Sequence, residues 1–219
     1  MTSHGLDLPD VSGCAKTRKD GALSTSIFSI LPERENRAMH NDYVLNHNRR
    51  LFLDRLEQEV MHARRIGACT ALLFIDLDHF KEANDQFGHE AGDQLLRLVT
   101  ARFRLCTRET DTVARLGGDE FTIILQDLGD TKYVEFVAEK ILTELSKPFH
   151  IFDHFIHISG SIGIALCPQD ATQSEVLMKY ADQAMYLAKN VGRNQVKFFS
   201  PQLPEVVPPL SRYTGRITH

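Results

Sequence analysis

The chain has 219 residues, 42% of them apolar and 25% charged, with a net charge of −4. That length suits one domain of ordinary size with short extensions, and the composition is that of a globular protein whose core needs no staples. The acidic balance excludes a global basic field for a nucleic-acid polymer or an anionic membrane, so an anionic ligand would need local cations or a metal. Cys14, Cys69, Cys106 and Cys167 stand far apart without CxxC spacing and read as free thiols in a reducing compartment. No apolar run approaches the roughly 18–20 residues that span a bilayer, and the N-terminus lacks a charged region followed by an apolar one. A cytoplasmic location is expected.

Residues 1 to 38 mix Gly, Ser, Asp, Lys and Pro without sustained periodicity and read as a mobile leader, with Ile27–Leu31 a short docking segment. From Arg50 the pattern becomes helical: Phe52, Leu56, Val60 and Ala63 recur at helical spacing, Asn48 is the N-cap candidate and Gly67 the stop. Ala71–Ile75 is a continuous apolar run ending in Asp76-Leu77-Asp78, which predicts a strand buried on both faces with carboxylates at its C-terminal end. After Gly88 and Gly92, a helix presents Leu95, Leu96, Val99 and Phe103 on one face. Thr112–Leu116 and Phe121–Leu125 flank Gly117-Gly118, a hairpin signal.

Val134, Val137, Ile141 and Leu145 predict a further helix, ended by Pro148. Phe149–His157 and Ser159–Leu166 are strand-like, Leu177 to Ala188 a last helix stopped at Gly192, and Gln195–Phe199 a final strand. The Pro-rich residues 201–219 read as a disordered or linker-like tail. The predicted fold class is α/β, an α+β sandwich with helices covering a mostly antiparallel central sheet.

Two acidic points fall where strands meet turns: Asp76 with Asp78, and Asp119-Glu120 at the hairpin tip. Two carboxylates brought together from adjacent strands suit a hard cation that keeps open positions for phosphate. Taken singly, each point also reads as an ordinary polar turn. His154 and His157 stand three apart in a strand-like stretch, face opposite sides there, and make no metal site.

The stretches Asp76–Asp85 (DLDHFKEAND), Phe87–Asp93 (FGHEAGD), Ala114–Phe121 (ARLGGDEF) and Ala181–Asn194 (ADQAMYLAKNVGRN) occur in one order. Over roughly residues 40–200 the chain resembles the GGDEF family of diguanylate cyclases. The resemblance implies a nucleotide-cyclase or polymerase-palm-like fold in residues 39–200, and the joining of two GTP molecules into cyclic di-GMP with release of pyrophosphate. It implies Mg²⁺ or Mn²⁺ on Asp76, Asp119 and the Leu77 carbonyl, with Asp119 also removing a proton, and Glu120 binding a second metal or orienting the turn. Gly117 and Gly118 would let phosphate approach the backbone. Asn84 and Asp93 would read guanine, since a carboxylate accepts from guanine N1–H and N2–H₂. His89 would contact substrate or cap its helix. Lys189 and Arg193 would grip the triphosphate, and Lys81 the transferring phosphate. Each of these charges also has a structural reading, as a helix-end charge or a solvated side chain.

Arg108-Glu109-Thr110-Asp111 fits the family's RxxD product-inhibition site, with Arg108 and Asp111 binding cyclic di-GMP. The family's opening D-x-L-T-G-L-x-N-R is altered: Asn41, Val44 and Leu45 stand for its Asp, Thr and Gly, while Asn48-Arg49 agrees. Loss of that Gly predicts a different backbone path there. Two bound GTP molecules must meet face to face, so the reaction implies a homodimer. A non-catalytic module that binds cyclic di-GMP or GTP is the competing reading, and a polymerase-like or adenylate cyclase activity a third.

Overall fold

A computed structural model describes residues 33–202, with side chains from Arg49 onward. The chain divides after Asp42. The first unit contributes only the beginning of one helix to the described residues, and the architecture below is that of the unit from Tyr43 onward. The predicted docking segment Ile27–Leu31, Cys14 and the tail from residue 203 lie outside the described residues.

The elements in chain order are α1 (Glu33–Ile66), β1 (Cys69–Asp78), α2 (Phe80–Phe87), α3 (His89–Cys106), β2 (Thr112–Gly117), β3 (Glu120–Leu128), α4 (Lys132–Ser146), β4 (Phe149–Ile151), β5 (His154–Ile156), β6 (Ser159–Cys167), α5 (Ser174–Asn190) and β7 (Gln195–Phe198). The main sheet has the order β2-β3-β1-β6-β7, antiparallel except for the β6–β7 pair. Successive side chains of central β1 point to opposite faces. Leu73, Ile75 and Leu77 pack with Leu95, Val99 and Phe103 of α3 and Val137 and Ile141 of α4. Leu72 and Phe74 pack with Phe52, Leu56 and Val60 of α1 and Leu177, Ala181 and Met185 of α5. Both faces are covered, so the strand reads as one unbroken apolar run.

Gly163 of β6 sets how closely α5 lies on the sheet. A Cβ there would stand 2.0 Å from the Ala181 carbonyl oxygen and 2.1 Å from the Met185 amide nitrogen. Both are helix backbone and cannot move aside singly. This contact seats α5 so that its C-terminal end reaches the carboxylates ending β1.

Several sequence expectations change. The first helix begins at Glu33, not near Arg50, and Asn48 lies inside it rather than capping it. No Gly or Pro interrupts residues 33–66, and Pro32 stands just before the start, where its fixed φ suits helix entry. Residues 33–38, read as leader, are therefore helical, and the altered opening segment Asn41–Arg49 runs as helix. Helix α2 was not foreseen; it is only eight residues long and buries only Phe80 and Ala83. Phe149–His157 is not one strand but the hairpin β4–β5, a separate two-stranded sheet turning at Phe152, whose φ is 52°. His157 consequently lies outside β5 on the surface, and His154 rests on the Phe87 ring at 5.1 Å.

We expect Gly163→Ala to lower the unfolding free energy by about 3 kcal/mol, the upper range for overpacking. Urea denaturation monitored by circular dichroism measures this. An unchanged midpoint would contradict the close seating of α5.

Candidate functional site

The β1–β3 register places Asp76 directly opposite Glu120. Just beyond, the Leu77 N–H donates to the Asp119 carbonyl oxygen at 3.1 Å. The two acidic points noted in the sequence, 43 positions apart as numbered, are thus neighbours across one strand pair. Asp76 is 2% exposed, whereas Asp119 and Glu120 are half-buried at the hairpin rim. Gly118, with φ 48°, supplies the left-handed turn that reverses the chain there.

Residues 76 and 78 share the sheet face that carries α5. Lys189 Nζ reaches Asp76 Oδ1 at 2.7 Å. Asp78, 1% exposed, accepts from Ser159 Oγ at 2.7 Å, Ser161 Oγ at 2.8 Å and the Asn194 N–H at 3.1 Å. Arg193 emerges from the α5 terminus in a left-handed conformation and is exposed. The Glu82 carboxyl in the first turn of α2 is held below its ordinary range, first by a backbone hydrogen bond and further by the charges of His79 and Arg193. Lys81, the second residue of α2, is exposed.

The base-reading candidates lie on α2 and α3. A Cβ on Gly92 would stand 1.7 Å from Asn84 Oδ1. The glycine thus lets the Asn84 amide lie against α3, one residue from exposed Asp93. His89 is the first residue of α3, also exposed; Gly88 is the N-cap, and no side chain caps that end.

Sequence reasoning assigned no role to Arg115. Its Nε donates to the Gly118 carbonyl at 2.9 Å, closing the hairpin tip. Burial pushes its guanidinium below the usual range, offset by the charges of Asp93 and Asp119. Arg115 thus lies within reach of charge on both α3 and the acidic rim. The available signal was its place in the ARLGGDEF stretch, two residues before the double glycine.

Arg108 and Asp111 are not part of this cluster. They lie at the far end of β2, about 20 Å from the double glycine at strand rise. The Arg108 N–H donates to Asp111 Oδ2 at 2.8 Å, and the Gln126 N–H to Asp111 Oδ1 at 3.3 Å. The Arg108 guanidinium lies over the Tyr133 ring at 4.0 Å. A groove of about 530 Å³ opens there, lined by Arg104, Thr107, Arg108, Asp111 and Thr112 among others.

The donor set at the hairpin rim fits a hard divalent cation: carboxylate and main-chain oxygens, without sulfur or imidazole. Among the described residues, no three His, Cys, Asp or Glu side chains converge on one point.

The family model described as "Diguanylate cyclase, GGDEF domain" matches residues 46–195. The chain belongs to the GGDEF family. It is 42% identical over 185 residues to the bifunctional diguanylate cyclase/cyclic di-GMP phosphodiesterase MucR of Pseudomonas aeruginosa, covering 84% of this chain and 27% of MucR. It is 36% identical to diguanylate cyclase TpbB of the same organism, covering 78% of this chain and 40% of TpbB. The chain thus spans well under half the length of these curated relatives. The crystal structure of the TpbB GGDEF domain superposes with TM-score 0.68 at 38% identity, covering 69% of this chain and 95% of that one. The GGDEF domain of DgcB from Caulobacter crescentus, solved with c-di-GMP, gives 0.64 at 30% identity, covering 68% and 89%. The five-stranded sheet with helices on both faces is therefore the GGDEF fold, and no helix among the described residues is long and apolar enough to cross a membrane.

Gly92→Ala separates positioning from stability in this GGDEF domain. Alanine is the better helix former by about 1 kcal/mol, so melting temperature should hold or rise. The displaced Asn84 amide should weaken guanine-nucleotide affinity roughly tenfold, the loss of about one hydrogen bond. Calorimetry and thermal melting measure the two effects. Unchanged affinity would contradict the role of the Asn84–Gly92 contact.

Proposed function

We propose that this domain is a diguanylate cyclase, condensing two GTP molecules into cyclic di-GMP and pyrophosphate, with product inhibition at Arg108 and Asp111. The observation that carries this reading is the pairing of buried Asp76 with the Asp119-Glu120 rim across β1 and β3. Asp76, Asp119 and the Leu77 carbonyl would hold Mg²⁺ or Mn²⁺. When bound, that ion neutralises phosphate charge and lowers the pKa of the attacking ribose 3′-hydroxyl.

The chain's own groups do the rest. Asn84 and Asp93 hold the guanine edge. Asp93 disfavours adenine, whose amino group and ring nitrogens present the wrong pattern to a carboxylate. Gly117 and Gly118 leave the rim bare of side chains, so phosphate oxygens approach the backbone. Lys189 and Arg193 receive the triphosphate, and Lys81 the transferring phosphoryl group. Asp119 accepts the proton from the 3′-hydroxyl and Glu120 orients the rim. His89 lines the substrate side of α3. Arg115 holds the hairpin closed and balances Asp93 against Asp119.

Each domain binds one GTP, so the two half-sites close only in a homodimer. In domain terms, residues 39–200 are the catalytic unit, joined to helix that continues back to Glu33.

One observation favours a second reading, a guanine-nucleotide or cyclic di-GMP binding module without turnover. The opening segment Asn41–Arg49 departs from the family's D-x-L-T-G-L-x-N-R and runs as helix.

The two readings part on one experiment. Purified protein is incubated with GTP and Mg²⁺, and products are separated by chromatography. We expect cyclic di-GMP from the wild type, none from Asp119→Ala, and from Arg108→Ala a progress curve that no longer slows as product accumulates. Tight cyclic di-GMP binding without product formation would establish the second reading. Unaltered slowing in Arg108→Ala would remove the inhibitory site from the first.

A further inference from the structure

We infer that Asp78 is a positioning residue for nucleotide binding: its carboxylate clamps the turn that carries Arg193, and so sets where the triphosphate cation stands. The inference rests on the reading of Arg193 as a triphosphate contact.

Asp78 is 1% exposed and accepts three hydrogen bonds from two distant segments. Ser159 Oγ and Ser161 Oγ come from β6, opposite it in the sheet. The third donor is the main-chain N–H of Asn194, 116 positions along the chain. With its oxygens thus engaged deep under the rim, Asp78 is a clamp and not a ligand, although it stands two residues from Asp76 on the same face.

The clamped turn is not one the chain adopts unaided. Arg193 has φ 61° and Asn194 φ 44°, two consecutive non-glycine residues in the left-handed region. That conformation is costly for arginine and better tolerated by asparagine. Two contacts offset that cost: the Arg193 N–H donates to the Ala188 carbonyl at 3.0 Å, and the Asn194 N–H donates to Asp78. The first ties the turn to the end of α5, and the second ties it to β1. Past the turn the chain enters β7, where Gln195 pairs with Ser161 of β6, and the Asp78 bond fixes the residue just before that strand.

The position of Arg193 follows. Held from both sides, its backbone is fixed between α5 and β1, and so is the point from which its side chain starts. Beside it, Lys189 is held over Asp76. The two carboxylates of β1 thus hold two points five residues apart, Lys189 by its side chain and Asn194 by its backbone. Arg193 lies between them in sequence.

The test is a double-mutant cycle read on binding. Affinity for a non-hydrolysable GTP analogue with Mg²⁺ is measured by calorimetry for wild type, Asp78→Asn, Arg193→Ala and the pair. GTP turnover and melting temperature are recorded alongside. Asp78→Asn keeps the shape and removes the charge that holds the turn. We expect it to weaken binding roughly tenfold, and the double variant to bind no worse than Arg193→Ala alone. Unchanged affinity in Asp78→Asn would overturn the inference, as would losses that multiply in the pair. Ser159→Ala removes one donor to Asp78 and leaves the backbone bond, so it serves if Asp78→Asn does not fold. It should show a smaller loss, again absent on the Arg193→Ala background; an equal loss on both backgrounds would overturn the inference. If the wild type binds the analogue and the cycle is non-additive but no cyclic product forms, the cyclase reading falls and the clamp stands. If turnover is normal and the cycle is additive, the clamp falls and the cyclase reading stands. A wild type that does not bind the analogue would contradict both.

Discussion

The geometry depends on two carboxylates ending one buried strand. Asp76 and Asp78 lie on the same face of β1, each nearly solvent-free, and each is joined to the C-terminal region of α5. Leaving a buried carboxylate without its partner is costly, because the charge cannot return to water. That penalty makes the end of β1 and the end of α5 a single unit. Gly163 permits it by letting α5 sit almost on the sheet backbone.

The same constraint gives the site its electrostatic character. Acidic groups gather at the hairpin rim, and cations stand on the elements around it: Lys81 on α2, Lys189 and Arg193 at the end of α5, Arg115 on β2. For a chain with net charge −4, attraction of a polyphosphate must come from such a local arrangement. Lys189 sits at the centre of it. It neutralises Asp76 in this structure and is the same cation proposed to meet the triphosphate, so arrival of a metal–nucleotide complex would redistribute an existing pairing. Arg115 plays a comparable part, its guanidinium within reach of the charges of Asp93 and Asp119.

Much of this was legible in the sequence because the governing signals are local. The Ala71–Ile75 run announced a strand covered on both faces, and helical spacing of apolar residues in α3, α4 and α5 announced their buried stripes. The GGDEF pentapeptide and the Asp76–Asp85 stretch announced the acidic points and their order. What stayed hidden had no local signal. Helix α2 is too short to display a period, and the turn at Phe152 uses a non-glycine residue in the left-handed region where no turn signature marks it. The forward extension of α1 competed with a family pattern that normally opens with a Gly-containing segment. The Lys189–Asp76 pair and the Asp78–Asn194 bond join residues more than a hundred positions apart. Spacing rules see neither, and both are consequences of how α5 packs.

The most direct measurement is GTP turnover per mole of protein across a wide range of protein concentration, with Mg²⁺ present and cyclic di-GMP identified as the product. A cyclase whose two half-sites close only between two copies must show specific activity that rises with concentration and then levels off as dimers saturate. Product formation with specific activity constant down to the lowest dilution would contradict the two-copy site, and absence of product at every concentration would contradict the assignment of cyclase chemistry.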